Sequence, residues 1–300
     1  MRTAALLVGL GVALSGCVPP GTRNMASGPL HYVIGRPYQA GGVWRYPRER
    51  FDGEETGLAT IDTRTGGITA DGEAVDPTAM AAAHPTLQLP SVVRVTNLDN
   101  GYQALVRVND RGPADPGRVI ALSPRAMALL RPADPHAAHV RVDVMPSESL
   151  QLAADLGGAE SPRLALVMVP LGDVVAQPLP VPPGATQAPR LRQAAAKPVP
   201  QGMVPDVAPV PLRLPETVTR VAPHPGNLYV EVASFGHAEY AALLQGRLAS
   251  IGAQVVLDYN APRDASYRVR VGPLPGAAAA DATLARVIAA GQGDARIVVQ

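Results

Sequence analysis

From Pro178 to Pro225 prolines recur every few residues among Ala, Val and Gln, a composition that cannot bury a core. Each proline removes an amide donor and fixes φ at about −65°. The stretch is therefore expected to run as a semi-extended, polyproline-like connection. It divides the chain into two folded units on a tether. The boundaries read as an N-terminal tether over 17–37, a first unit over 38–150, a connection over 151–226 and a second unit over 227–300.

The N-terminus reads as a targeting segment. Arg2 precedes an apolar run, Ala4 to Leu14, that is too short to span a bilayer as a mature helix. Leu14-Ser15-Gly16-Cys17 follows. Small residues at 15 and 16 let a peptidase grip an extended backbone, and a thiol at 17 can be alkylated by a lipid donor. Residues 1–16 are thus expected to be a lipoprotein signal peptide and Cys17 the lipidation site of an exported protein anchored to a membrane; an ordinary cleaved signal beside a chance cysteine is the alternative. By likeness to other lipoproteins, Val18 where an aspartate would retain the inner membrane favours the outer membrane. Cys17 is the only cysteine, so no intramolecular disulfide can form. With 26 basic and 25 acidic side chains and no lysine-rich stripe, nucleic acid is not expected as a partner.

The first unit is rich in short strands. Ser91 to Asn97 and Gln103 to Asn109 are β-branched runs joined by Leu98-Asp99-Asn100-Gly101-Tyr102, where Asn-Gly predicts the positive φ values of a tight hairpin. Val119 to Leu122 and His139 to Val144 read as further strands. Between them, Ser123-Pro124 predicts a helix start and Pro132 its end; Ser147 to Leu156 predicts a trailing helix. Such a pattern indicates a compact barrel. The second unit reads strand, helix, strand, strand, helix, strand. Tyr240, Leu244 and Leu248 mark one helical face closed by Gly252, and Leu284, Val287 and Ile288 mark another, with Asp264 in the turn between the middle strands. This βαββαβ order suits a ferredoxin-like sheet with both helices on one face. The fold class is mainly β plus α+β.

Titratable groups collect between Thr69 and Arg118. Glu73 and Asp76 lie in a Gly-rich loop, His84 follows the small run Ala79 to Ala83, and Asp110 ends a strand before Arg111-Gly112-Pro113. A carboxyl at a strand end beside a fixed turn is placed for acid or base work. From spacing alone Asp110 equally suits a turn cap, His84 a packed helix-end residue, and Glu73 and Asp76 solvated surface. One histidine and no cysteine in this stretch argue against zinc, and no glycine loop cradles phosphate; no metal or cofactor is expected.

The run from Thr69 to Arg118, through TADGEAVD, AAHPTL, RVTNL and VRVNDRGP, resembles the double-psi β-barrel domain of the rare lipoprotein A family of septal lytic transglycosylases, and residues 227–300, with Tyr267-Arg268-Val269-Arg270-Val271-Gly272-Pro273, resemble a SPOR domain. The resemblance implies a six-stranded barrel that cleaves peptidoglycan between N-acetylmuramic acid and N-acetylglucosamine, leaving 1,6-anhydro ends, and a SPOR module that binds septal glycan stripped of stem peptides, beside possible divisome partners. It implies Asp110 as the acid/base group and Glu73, Asp76 and His84 as its polar neighbours. Two stretches depart from the family: Thr60-Ile61-Asp62-Thr63 stands where Ser-Trp-Tyr-Gly is usual, leaving Trp44 and Tyr46 as substitute stacking surfaces, and Ala121 stands where an aspartate is common. A non-catalytic wall-binding scaffold with a degenerate cleft is the competing reading.

Overall fold

A computed structural model describes residues 29–134, 136–157, 213–259 and 265–300. The expected signal peptide, Cys17, Asp264 and most of the expected proline-rich connection lie outside the described residues.

A hairpin of β1 (Tyr38–Ala40) and β2 (Val43–Arg45) precedes the first body. That body is built from β3 (Glu54–Ile61), β4 (Ala81–Ala83), β5 (Ser91–Asn97), β6 (Tyr102–Asp110), β7 (Ile120–Leu122) and β8 (Ala138–Val144). Their order is β4-β7-β3-β8-β5-β6, and β4 pairs back onto β6, so six strands close into the expected barrel. The β3–β7 and β4–β6 pairings are parallel; the others are antiparallel. Closure covers the sheet edges except at the start of β6, where β4 does not reach. Val93, Val106, Val108, Ile120 and Leu122 fill the interior, each burial contributing roughly 1.5–3 kcal/mol.

Local chemistry sets the connections. Ser123 Oγ accepts the Ala126 amide at 3.1 Å and Pro124 opens α1 (Pro124–Leu130), as its sequence predicts. The trailing helix is α2 (Pro146–Asp155), fixed to the barrel by Ser149 Oγ, which accepts from Val92 N and donates to Val92 O. The hairpin turn differs from expectation. Only Gly101 takes a positive φ, +77°, while Asn100 uses its side chain, accepting from Tyr102 N and donating to the Leu130 and Arg131 carbonyls. A side chain at 101 would meet Val221 O at 2.0 Å, so the glycine answers a tertiary contact as well as a turn.

Residues 213–221, inside the stretch expected as connection, pack on the barrel. Leu214 enters its core, and β9 (Val218–Arg220) pairs with β6. The second body comprises β10 (Leu228–Phe235), α3 (Ala238–Arg247), β11 (Ala253–Tyr259), β12 (Ala265–Leu274), α4 (Ala277–Ala289) and β13 (Arg296–Val299), in sheet order β11-β12-β10-β13. This is the expected ferredoxin-like arrangement. A 3-10 turn over Ala249–Ile251 is closed by Gly252 at φ +87°, the predicted stop. The helical face is offset from the predicted one: Ala241, Leu244 and Leu248 are buried, whereas Tyr240 is 56% exposed. The two bodies touch. Leu58 and Leu98 join the second core, Val299 N donates to Thr56 Oγ1 at 3.3 Å, and Arg118 forks onto Asp281 at 2.6 and 3.0 Å. No helix among the described residues is long and apolar enough to cross a membrane.

Candidate active site

The Thr69-Ala70-Asp71-Gly72-Glu73 segment folds into a tight polar loop. Thr69 N donates to Glu73 O at 2.8 Å, Glu73 N returns to Thr69 Oγ1 at 3.0 Å, and Thr69 Oγ1 donates to Asp71 Oδ1 at 2.6 Å. Gly72 sits at φ +98°, with Pro29 O 2.7 Å from where a Cβ would lie. The loop aims Glu73 at β6. There Arg107 Nη2 donates to both its carboxylate oxygens, at 2.7 and 2.6 Å, and Asn109 Nδ2 to Oε2 at 2.9 Å. Arg107 and Asn109 stand two apart on one strand, hence on one face.

Asp110 ends β6 with its carboxylate fixed at one oxygen only. Oδ1 accepts from Ala70 N at 2.9 Å and Arg111 N at 2.7 Å. Oδ2 is buried and is met by Arg64 Nη1 at 2.6 Å as an ion pair. Asp62, Arg64, Asp76, Asn109, Asp110 and Ser123 share this small pocket. Asp76 and Asn109 also line the adjoining groove of about 530 Å³ that contains Glu73 and Arg107. Asp76 accepts from Thr78 N at 2.8 Å and Thr78 Oγ1 at 2.6 Å, and pairs with Arg213 at 3.0 Å; the Thr78 hydrogen bonds foremost hold its carboxyl below the usual range. The structure thus brings Glu73, Asp76 and Asp110 to one continuous depression.

The imidazole of His84 faces elsewhere. The residue meets Asp110 through the main chain, His84 N donating to Asp110 O at 3.0 Å. Nδ1 accepts the amides of Thr86 and Leu87, each at 3.2 Å, so the ring proton sits on Nε2, 3.5 Å from Glu55 Oε2. Burial opposes ionisation of Glu55, but His84, then Arg50 and Arg296, outweigh it and pull its pKa to about 2. Trp44 and Tyr46, 53% and 60% exposed, line a groove of about 380 Å³ together with Glu55, Arg118 and Arg296. They therefore do not stand in for a stacking surface beside Asp110. Ala121 is buried in β7 between Thr60 and Ala83.

Sequence reasoning passed over Arg64, Asp71, Arg107 and Asn109. Asp71 is wholly buried; burial foremost raises its pKa to about 6 against the Thr69 hydrogen bond, and its Oδ2 has no hydrogen-bond partner. Polar residues at alternate positions of an otherwise apolar strand were the signal for Arg107 and Asn109. Arg111 clamps the depression from behind, donating to the carbonyls of Leu87 and Ile34. Among the described residues, no three His, Cys, Asp or Glu side chains converge as metal ligands do.

Two family models match. The one described as lytic transglycolase covers residues 54–144, and the one described as SPOR domain covers 224–300. The chain is similar to proteins named endolytic peptidoglycan transglycosylase RlpA. The Pseudomonas aeruginosa (strain PAO1) relative is 36% identical over 211 residues, 70% of this chain and 59% of the relative. That of Yersinia pestis is 40% identical over 146 residues, 41% of each, and that of Escherichia coli K12 is 38% identical over 144 residues, 47% of this chain and 38% of the relative. The chain thus spans between about two-fifths and three-fifths of the length of the curated relatives it matches. With a closed six-stranded barrel matched by one model, a ferredoxin-like module matched by the other, and these relatives at 36–40% identity, the chain belongs to the rare lipoprotein A (RlpA) family.

Proposed function

We propose that the protein is an endolytic peptidoglycan transglycosylase that cleaves peptide-free glycan between N-acetylmuramic acid and N-acetylglucosamine. The observation that supports this best is the Asp110 carboxylate: two backbone amides hold one oxygen, and the other, met by the Arg64 guanidinium alone, borders a polar cleft. A group fixed in that way is oriented without being spent. Asp110, protonated, gives its proton to the glycosidic oxygen as the bond to the anomeric carbon breaks. The muramic acid's own 6-hydroxyl attacks that carbon, and the resulting carboxylate takes the hydroxyl proton. No water is consumed, the product is a 1,6-anhydro ring, and one acid/base group suffices where hydrolysis uses two.

In this reading Glu73, held by Arg107 and Asn109, and Asp76 hydrogen-bond sugar hydroxyls along the adjoining groove, and His84 positions Asp110 through the carbonyl it binds. The second body concentrates the barrel on its substrate, binding glycan with the sheet face opposite the helices, where Tyr229 stacks under Arg270 at 4.2 Å. A periplasmic, wall-associated location at the division septum follows, with Cys17 as lipid anchor in the outer membrane. One observation favours a non-catalytic scaffold instead: Arg64 covers the Asp110 pocket.

Mass spectrometry of peptide-free glycan incubated with the protein separates the two. Anhydro-muramic ends that vanish in a folded Asp110→Asn variant support the enzyme. No new ends from the unaltered protein support the scaffold.

A further inference from the structure

Arg64 lies in the loop where this chain departs from the family pattern, and its environment is unusual for a surface arginine. Asp62 N donates to Leu122 O at 2.7 Å, tying the loop's start to β7. Asp62 in turn grips Arg64: Oδ1 accepts the Arg64 amide at 3.0 Å and Nε at 3.0 Å, and Oδ2 accepts Nη2 at 2.6 Å. One edge of the guanidinium is therefore pinned. Nη1 lies 2.6 Å from Asp110 Oδ2 as an ion pair, and the side chain is 43% exposed where Asp110 is 9%.

Both partners have hydrogen-bonding capacity beyond this one contact. Nη1 carries two N–H groups and Asp110 Oδ2 has open lone pairs. The contact places a planar, permanently charged fork at the mouth of the pocket, held there by its own loop. With Nε and Nη2 on Asp62, the outer edge of the guanidinium presents one N–H of Nη1 beside the second N–H of Nη2, the pair of parallel donors that binds a carboxylate.

The substrate of the proposed reaction carries such a group. The muramic ring whose anomeric carbon is attacked also bears a 3-O-lactyl substituent, one ring width away. In peptide-bearing strands the lactyl carboxyl is an amide; in peptide-free strands it is a free carboxylate. Resting on the reading of Asp110 as the acid/base group, we infer that Arg64 is the specificity-determining residue that binds the free lactyl carboxylate and so selects peptide-free over peptide-bearing glycan. Asp62 keeps the guanidinium at the pocket as a hinge, the whole plane tilting about that edge from Asp110 to the substrate, and that tilt vacates the Oδ2 face through which the leaving oxygen is protonated. An amidated lactyl group offers no charge to draw the edge away, so the face stays covered.

The test uses the full chain and two substrates, peptide-free strands and the same strands with their lactyl carboxylates converted to methylamides. The unaltered protein should favour the free carboxylate in kcat/KM by roughly tenfold or more, the scale of one charged hydrogen-bonded contact. Arg64→Ala should bring that ratio towards one, and Arg64→Lys, a point charge without the fork, should fall between. An Arg64→Ala ratio equal to that of the unaltered protein, or equal gains on both substrates, would overturn the inference and leave Arg64 a simple cover. If the unaltered protein cleaves neither substrate, the lytic reading fails on its own. Equilibrium binding of the two strands then decides the inference: a preference that Arg64→Ala loses upholds it, and a preference common to both proteins, or none, overturns it.

Discussion

The turn after β4 separates two polar clusters that differ in how much of their bonding capacity is used. On one side His84 is saturated: two amides occupy Nδ1, Nε2 faces Glu55, and Arg50 reaches the other Glu55 oxygen at 2.8 Å. On the other, Asp110 Oδ2 meets only the guanidinium of Arg64, a side chain 43% exposed. Both clusters hold a carboxylate against a cation in the same barrel wall. A buried ring engaged at both nitrogens holds the fold; a carboxylate oxygen capped by an exposed arginine opens to a substrate once that side chain moves.

The comparison breaks most sharply at Asp110. Asp110→Asn keeps an oxygen for the two amides, so the fold should survive with a melting temperature near that of the unaltered protein, while release of anhydro ends should drop by about 10²–10⁴-fold, the usual contribution of a general acid/base. Chromatography of glycan digests with parallel calorimetry reads both. His84→Ala should do the converse. Loss of the ring strands two turn amides and a buried carboxylate face, costing about 2–4 kcal/mol of stability by denaturant unfolding, with a smaller loss of kcat than in Asp110→Asn.

Two pH effects of opposite sign sharpen the contrast. Asp71 has its folded pKa raised to about 6, so the folded state favours its protonated form; that stabilisation is complete below the unfolded value near 3.8 and is lost as pH rises to about 6. The expected fall is on the order of 2–3 kcal/mol, and Asp71→Asn should flatten it in melting curves taken from pH 4 to 7. Glu55 has its folded pKa lowered to about 2, so its contribution stands above the unfolded value near 4.5 and is lost as pH falls towards 2. Glu55→Gln should remove that acid limb. The smallest change is Tyr240→Ala, which should shift stability by no more than about 0.5 kcal/mol because the ring is outside the core.

Much of the fold was legible in local sequence. The strands over 91–97 and 138–144, the helix opened by Ser123-Pro124 and the stop at Gly252 rest on alternation, capping and left-handed φ, all properties of neighbouring residues. Where local signals competed, tertiary contact decided: Asn100 gave up a positive φ to bind the carbonyls at the end of α1, and Ala241 took the core position that Tyr240 was expected to hold.

The candidate site was legible only as a set of names. The sequence by itself determined which carboxylates sit at turns, because turn chemistry is local. Only the tertiary structure decided what each one faces. The parallel β4–β6 pairing puts the His84 amide on Asp110 O yet turns its ring to Glu55, and the closed barrel brings the 62–67 loop from the end of β3 across the end of β6, where Arg64 meets Asp110. Periodicity specifies the face on which a side chain stands but not the partner across from it, and the chemistry of an ionisable group is set by that partner.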